Sequence, residues 1–295
     1  MRTIRTIAEV RAALAPGRRV GVRIGLVPTM GAFHEGHLSL IRRARERTDV
    51  VVVSLFVNPA QFNESRDLAT YPRDERRDAA LASEIGVDYL FVPAPEEMYP
   101  DGFATTVSVA GVTEPLEGAH RGAAHFAGVA TVVTKLLNIV GPDVAYVGQK
   151  DAQQALMIGR LARDLDIPVA IETCPTERET DGLAMSSRNV LLSPAQRCHA
   201  AALHRALRAI QAAVQAGERD PVAARALALA ELTSAEIEVE YLEIVSPETL
   251  APLQRLDSDA LAVVAARVGA IRLIDNEPIN IIRGVATPTV APTTA

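Results

Sequence analysis

The stretch Gly25-Leu26-Val27-Pro28-Thr29-Met30-Gly31-Ala32-Phe33-His34-Glu35-Gly36-His37-Leu38 decides the reading of this chain. An apolar run ends in a proline and a glycine turn, His34 and His37 follow, and a helical pattern starts at Leu38, Leu40 and Ile41. That order predicts strand, glycine loop, helix. The first turn of a helix leaves backbone N–H groups without partners and carries a partial positive charge, which suits phosphate oxygens. With a helix starting near Gly36, His37 falls in its first turn and His34 just before it, so both rings are expected to face one bound anion. Metal ligation ranks lower, because the His-Glu-x-x-His spacing that favours zinc is absent.

Outward from this stretch, residues 20–27 read as the strand that enters the loop, and residues 38–47 as the helix that leaves it. The row Arg42, Arg43, Arg45 and Arg47 on that helix reads as a solvated face. Residues 50–57 form a continuous β-branched run, typical of a strand buried on both faces. Residues 6–14 read as a short helix ending at Pro16-Gly17, and 72–85 as a helix with Pro72 in its first turn and Gly86 at its end. Strands are expected at 89–92, 143–147 and 168–174, with helices over 126–140 and from the Gly148–Asp151 turn to 165. Residues 105–109 read as a strand outside this alternation. Such alternation implies βαβ units and a parallel sheet, with ligands outside the carboxyl ends of the strands. The His34/His37 loop and the Asn58-Pro59-Ala60-Gln61-Phe62 loop should therefore share one edge.

After Cys174 the rhythm breaks. Alanine-rich helices over 194–216 and 221–232 precede strands at 236–245, 261–268 and 270–274. We place a domain boundary near residue 176: a Rossmann-like domain over 1–176, a smaller domain over 177–286, and a Pro/Thr/Ala-rich tail, 287–295, expected to be disordered.

Bulk properties narrow the function. The chain has 295 residues, 48% of them hydrophobic, which is ample for a packed core. A net charge of −6, 4% aromatics and no Trp give no reason to expect nucleic acid. Two cysteines, Cys174 and Cys198, make no disulfide framework and point to a reducing compartment. No segment reads as a membrane span and no signal peptide is visible, so a cytoplasmic protein is expected.

Three more stretches bear chemistry. Gln61 offers a neutral donor and acceptor just past a strand end, suited to hydroxyls and carboxylates. In Gly148-Gln149-Lys150-Asp151-Ala152-Gln153-Gln154, Lys150 is a mobile point charge suited to phosphate, Asp151 can cap the helix or hold a hydroxyl, and Gln154 lies one turn on. Met185-Ser186-Ser187-Arg188 is a dense donor set for an anion, reached through Asp181-Gly182. A loop of this kind can close over phosphates and exclude water. Taken singly, each stretch has an ordinary explanation as a turn, a cap or a polar loop.

Their ordered combination does not. His-Glu-Gly-His resembles the HxGH signature of nucleotidyltransferases and class I aminoacyl-tRNA synthetases. Adding VSLFVNPAQF (53–62), YPRD (71–74), MYPDG (98–102), HFAGVATVVTKLLNIV (125–140), GQKDAQQ (148–154), DGLAMSSRN (181–189) and Asp275-Asn276, nearly the whole chain resembles the pantothenate synthetase (pantoate–β-alanine ligase) family. The resemblance implies an α/β fold, a Rossmann-like nucleotidyltransferase parallel-sheet domain of HxGH type with a smaller α+β C-terminal lid domain. It implies that ATP adenylates pantoate, releasing pyrophosphate, and that the β-alanine amine then displaces AMP. It further implies that Met30, Gly31, Ala32, Phe33, His34, Glu35, Gly36 and His37 line the ATP site, with His37 as proton donor. Gly148, Gln149, Lys150, Asp151, Glu177, Met185, Ser186, Ser187 and Arg188 complete it, and Gln61 and Gln154 hold pantoate. His34, His37, Lys150 and Arg188 would carry the catalysis, Asp78 would contact Mg²⁺, and the protein would be a homodimer.

The sequence departs from the family at Arg121-Gly122-Ala123-Ala124-His125, one residue longer than the usual Arg-Pro-x-His and without proline. The reach of Arg121 and His125 into the site is therefore open. Two other functions also stay open. A cofactor adenylyltransferase would share the HxGH loop without needing the VNPAQF and KDAQQ pair. A non-enzymatic nucleotide-binding module would bind ATP without releasing pyrophosphate when pantoate is added.

Overall fold

The computed structural model describes residues 1–63, 65–235 and 237–281, so Glu64, Glu236 and the expected tail lie outside the described residues. Its strands form two sheets. The first contains β1 (Arg2–Ile4), β2 (Ile24–Thr29), β3 (Val50–Leu55), β4 (Tyr89–Phe91), β5 (Val144–Gly148) and β6 (Ala170–Cys174). They lie parallel in the order β1-β4-β3-β2-β5-β6. Between them run α1 (Ile7–Arg19), α2 (Glu35–Arg47), α3 (Ser65–Thr70), α4 (Glu75–Ile85), α5 (Pro95–Met98), α6 (Glu117–Arg121), α7 (Ala123–Val140) and α8 (Ala152–Asp164). The chain then forms α9 (Pro194–Ala200), α10 (Ala202–Gln215) and α11 (Pro221–Ser234). An antiparallel sheet follows, with β7 (Glu238–Val245), β8 (Ala260–Val268) and β9 (Ile271–Ile279) in that spatial order.

Strand side chains alternate between the two faces of a sheet, and the first sheet is covered on both. Leu26 and Val52 pack with Val10, Leu137 and Ile158 of α1, α7 and α8. Their neighbours Val27, Val51 and Val53 pack on the opposite face with Ile41 and Ala82 of α2 and α4. Hence the continuous apolar reading of 50–57. A separate core joins α10 and α11 to the antiparallel sheet through Leu207, Ile210, Ala228 and Val264.

Several expected elements differ. Helix α1 continues through Pro16 to Arg19, and β2 starts only at Ile24, because Val20 stands 78% exposed after the helix end. Helix α4 starts at Glu75 rather than Pro72, since the Asp74 side chain accepts the Arg77 N–H and caps it there. No strand forms at 105–109; the Val107 N–H donates instead to Thr131 Oγ1 on α7. The single helix expected over 194–216 is two, divided at Ala201. β1 is a strand beyond those expected, and β9 runs on to Ile279. The expectation about membrane spans also needs correcting. Helix α7 has 18 residues and a mean hydropathy of 1.5, enough by length and composition to cross a bilayer, but 67% of it is buried within the protein. It is a core helix. Cys174 is buried, Cys198 is exposed, and both are free thiols.

Candidate active site

In the parallel sheet the strand order turns at β2: β3 and β4 lie on one side of it, β5 and β6 on the other. Open α/β sheets bind ligands at such a switch point, beyond the carboxyl ends of the strands. Here β2 leads into the His34/His37 loop and β5 into the Gly148–Asp151 turn. A cavity of about 230 Å³ opens there. It is lined by Met30, His34, Gly36, His37, Gln61, Gly148, Lys150, Asp151, Gln154, Glu177, Met185, Ser186, Ser187 and Arg188. Val129, Val133 and Leu136 of α7 and Ala155 and Ile158 of α8 add an apolar wall.

The loop before α2 is held from behind. Gly31 has φ +84° and Ala32 has φ +54°, a left-handed conformation that non-glycine residues rarely adopt. The Asp78 carboxylate accepts the Ala32 N–H at 2.7 Å and the Phe33 N–H at 2.8 Å. Asp78 is 0% exposed, and a Cβ on Gly31 would come within 3.0 Å of its Oδ2. Asp78, the residue expected to contact Mg²⁺, thus braces the loop from beneath with both oxygens and is not among the residues lining the cavity of His37. Gly31, Ala32, Phe33 and Glu35 do not reach that cavity wall either. Phe33 is buried and Glu35 pairs with Arg42. Of the other arginines in the α2 row, Arg43 pairs with Glu172 and Arg45 with Asp88, while Arg47 is exposed.

His34 and His37 lie with ring centroids 4.2 Å apart. The His34 backbone N–H donates to His37 Nδ1 at 3.4 Å. Burial, then the neighbouring His34 and Lys150, push the His37 imidazole down to about 3. Burial, then Lys150, push His34 down to about 4. Both rings are therefore neutral near pH 7. His34 Nδ1 and Thr176 Oγ1 are buried without a hydrogen-bond partner among the described residues, and both residues line the cavity. A group bound in the cavity, or a water, could supply the partner each of these atoms needs.

Gln61 sits in a single 3₁₀ turn, Pro59–Gln61, after β3. Asn58, 1% exposed, sets its orientation: Nδ2 donates to Gln61 Oε1 at 2.9 Å and to the Gly128 carbonyl at 3.1 Å, while Oδ1 accepts from the Tyr99 hydroxyl at 2.6 Å. The remaining Gln61 amide group, Nε2, donates to Met30 Sδ at 3.2 Å. Helix α7 comes so near that a Cβ on Gly128 would lie 2.2 Å from the Ala60 carbonyl oxygen. The longer Arg121–His125 segment does reach this region, with His125 Nδ1 lying 2.8 Å from the Gln61 carbonyl.

The other wall is built by the turn Gln149–Asp151 and the segment 177–188. Asp151 occupies the N-cap position of α8 but makes no side-chain cap bond, and its carboxylate lines the cavity. Gln149 faces away, its Nε2 donating to Asn276 Oδ1 on β9 at 2.9 Å. The segment 177–185 folds back on itself, with the Met185 N–H on the Glu177 carbonyl and the Glu179 N–H on the Leu183 carbonyl. Arg178 anchors it to Asp275 on β9 through two bonds of 2.7 and 3.1 Å. A second cavity of about 120 Å³ adjoins the first, sharing Gln61, Lys150, Asp151, Gln154 and Arg188, with Arg121 and His125 in its wall. At its far side Glu117 accepts two bonds from Arg272, at 2.8 and 2.6 Å, and one from the Tyr241 hydroxyl at 2.8 Å.

Thus residues far apart in sequence, from His34 to Arg188, converge on one cavity, whereas Asp78, Gln149 and the centre of the 30–37 loop support it from outside. Asn58, Thr176 and Asn276 carry parts of the site that no spacing rule singles out. A sequence profile of the family described as Pantoate-beta-alanine ligase matches residues 2–278. The chain is similar to the pantothenate synthetase of Moorella thermoacetica, 53% identical over 94% of this chain and 98% of that protein. It is also similar to the pantothenate synthetase of Chelativorans sp., 55% identical over 93% and 96%. Among solved structures, the pantothenate synthetase of Thermus thermophilus superposes with a TM-score of 0.89 at 49% identity, covering 94% of this chain and 99% of that one. The pantoate–β-alanine ligase of Francisella tularensis, solved in complex with an ATP species and β-alanine, superposes with a TM-score of 0.79 at 34% identity, over 94% and 97%. With its profile, its relatives and its folded form agreeing over nearly the full length, the chain belongs to the pantoate–β-alanine ligase family.

Proposed function

We propose that the cavity at the β2/β5 switch point is where this ligase carries out both half-reactions of its ATP-dependent joining of pantoate to β-alanine. What supports the reading is the lining itself: two imidazoles, an ammonium, a guanidinium and a hydroxyl pair face one space that also holds Gln61, Gln154 and an apolar wall. An ATP species and β-alanine are the ligands of the Francisella tularensis complex.

In the first step the pantoate carboxylate attacks the ATP α-phosphorus, and the bond to the pyrophosphate oxygen breaks. Two anions must approach, and charge builds on the leaving group, so catalysis rests on positioning and charge neutralisation. His34, His37, Lys150, Ser186, Ser187 and Arg188 face the phosphates; neutral His37 donates from Nε2, the nitrogen its backbone bond leaves protonated. Gln61 and Gln154 hold the hydroxy acid, and the apolar wall takes its methyl groups. In the second step the β-alanine amine attacks the acyl carbon, AMP departs, and the amine loses a proton. The adjoining cavity at Arg121 and His125 offers the approach for the amino acid.

Among the described residues no three His, Cys, Asp or Glu side chains gather as a metal cage. Asp151 is the carboxylate beside Lys150 in the cavity lining. That donor set fits a Mg²⁺ held mainly by triphosphate oxygens and water, with Asp151 the protein group to hold it. Bound there, the ion would add positive charge at the phosphates. We further propose that residues 177–286 act as a lid over the 1–176 domain, and that the enzyme is a cytoplasmic homodimer, as the family resemblance implies.

A coupled assay for AMP, omitting ATP, pantoate and β-alanine in turn, tests the reaction. AMP should form only with all three. Pyrophosphate release that needs no pantoate would instead indicate another adenylyltransferase, and ATP binding without turnover a binding module.

A further inference from the structure

We propose that Asn276 on β9 is a positioning residue that acts through Lys150. This rests on the reading that Lys150 meets the nucleotide phosphates. Asn276 is 3% exposed, and its side-chain amide is fully committed to the turn that presents the lysine. Nδ2 donates to the Gln149 carbonyl at 2.8 Å and to the Lys150 carbonyl at 2.9 Å, and Oδ1 accepts from Gln149 Nε2 at 2.9 Å.

The turn Gln149–Asp151 is a single 3₁₀ turn whose flanking residue, Gly148, offers no side-chain cap. This turn leads directly into α8, but its 3₁₀ hydrogen-bond geometry is poorer than that of the helix it enters, so outside partners help to fix it. Two consecutive carbonyls bonded to one buried amide fix its peptide planes. They also keep the negative ends of two carbonyl dipoles turned toward β9 instead of toward a triphosphate. A neutral donor does this without placing a charge beside Lys150.

The neighbouring residue makes the same kind of connection to the segment 177–188, which completes the same wall. Asp275 holds Arg178, at the root of the segment that carries Ser186, Ser187 and Arg188. Consecutive residues of a strand project to opposite faces. Residues 275 and 276 thus hold both cationic segments of this wall from one strand of the antiparallel sheet, and β9 sets their separation. The lysine is delivered in its working position only while that sheet is seated against the α8 end of the parallel sheet.

A double-mutant cycle on the full-length enzyme tests this, reading kcat/KM for ATP and KM for pantoate by pantoate-dependent pyrophosphate release. Asn276→Ala should lower kcat/KM for ATP by about tenfold, a size usual for groups in direct contact, with the KM for pantoate moved less than about twofold. In a Lys150→Ala background the same change should have less than about a twofold effect. Equal fractional losses in both backgrounds would overturn the proposal while leaving the ATP-site reading intact, as would an Asn276→Ala enzyme of unaltered kcat/KM. Undiminished kcat/KM for ATP in Lys150→Ala would overturn both. Should Asn276→Ala not fold, Asn276→Ser, which keeps one donor, enters the cycle with the same expected non-additivity.

Discussion

The backbone N–H of His34 donates to Nδ1 of His37 across 3.4 Å, so the neutral His37 ring must carry its proton on Nε2. One peptide group thereby sets the tautomer of the ring that lines the cavity. His37→Ala should remove that donor and lower the rate of pantoate-dependent pyrophosphate release by about 10²–10³-fold, the cost typical of losing one preorganised donor. Thermal unfolding should change little. Near-normal turnover would remove His37 from the mechanism.

Because burial holds His37 at about 3 and His34 at about 4 against an ordinary 6.5, neither ring should titrate between about pH 5 and about pH 8 in the unliganded enzyme. The linkage sign follows. The unfolded chain binds these protons at higher pH than the folded one, so their contribution makes stability fall as pH drops from about 6.5 toward 4. Heteronuclear NMR of the imidazoles checks this; a midpoint near 6.5 for either ring would contradict it.

Asp78→Asn leaves the Ala32 and Phe33 N–H groups with one acceptor oxygen between them and points an amide donor at the other. The loss should be about 1.5–3 kcal/mol, the range for hydrogen bonds to a charged group. Urea unfolding measures it, alongside a raised KM for ATP. If stability is unaffected and only the Mg²⁺ dependence shifts, Asp78 is a metal ligand after all.

Gly128→Ala would drive a methyl group to 2.2 Å from the Ala60 carbonyl oxygen. Overpacking of this kind costs about 1–3 kcal/mol. Because the displaced turn carries Gln61, KM for pantoate should rise more than KM for ATP. A uniform change in both constants would show that the contact is only structural.

Glu117 joins α6 to β7 and β9. Burial works against its charge, but Arg272 and Arg121 overcome that and hold its carboxyl below the ordinary carboxylate range. This stabilisation is present above the unfolded-state value and is lost as pH falls through the folded one. Glu117→Gln should cost roughly 2–3 kcal/mol, less than the full penalty for stranding a buried partner because Glu240 still holds Arg272. The acid limb of the wild-type stability curve should flatten in this variant. An unchanged limb would count against the assignment.

The alternation of apolar runs and helical patterns was legible because each signal is local: Val50 to Leu55 need burial on both faces, and the spacing of Leu38, Leu40 and Ile41 marks α2, which starts at Glu35, one residue before the expected Gly36. Where neighbours compete, the local signal failed. Residues 105–109 have strand-forming side chains, yet Thr131 on α7 takes the Val107 N–H. Pro72 has the character of a helix start, but Asp74 supplies the cap. The residue types of the site, His34, His37, Gln61, Lys150 and Ser186 to Arg188, were readable from their motifs.

By itself, then, the sequence determined the parallel α/β class, the family and the set of polar side chains available for chemistry. Those follow from periodicity and residue identity, which are properties of the chain as written. Only the tertiary structure decided that Asp78 braces a loop instead of facing the cavity, that Asn58 aims Gln61, and that Asn276 ties Lys150 to a strand 126 residues away. A carboxylate or amide has several possible partners, and which one it bonds depends on backbone groups brought near it only by folding.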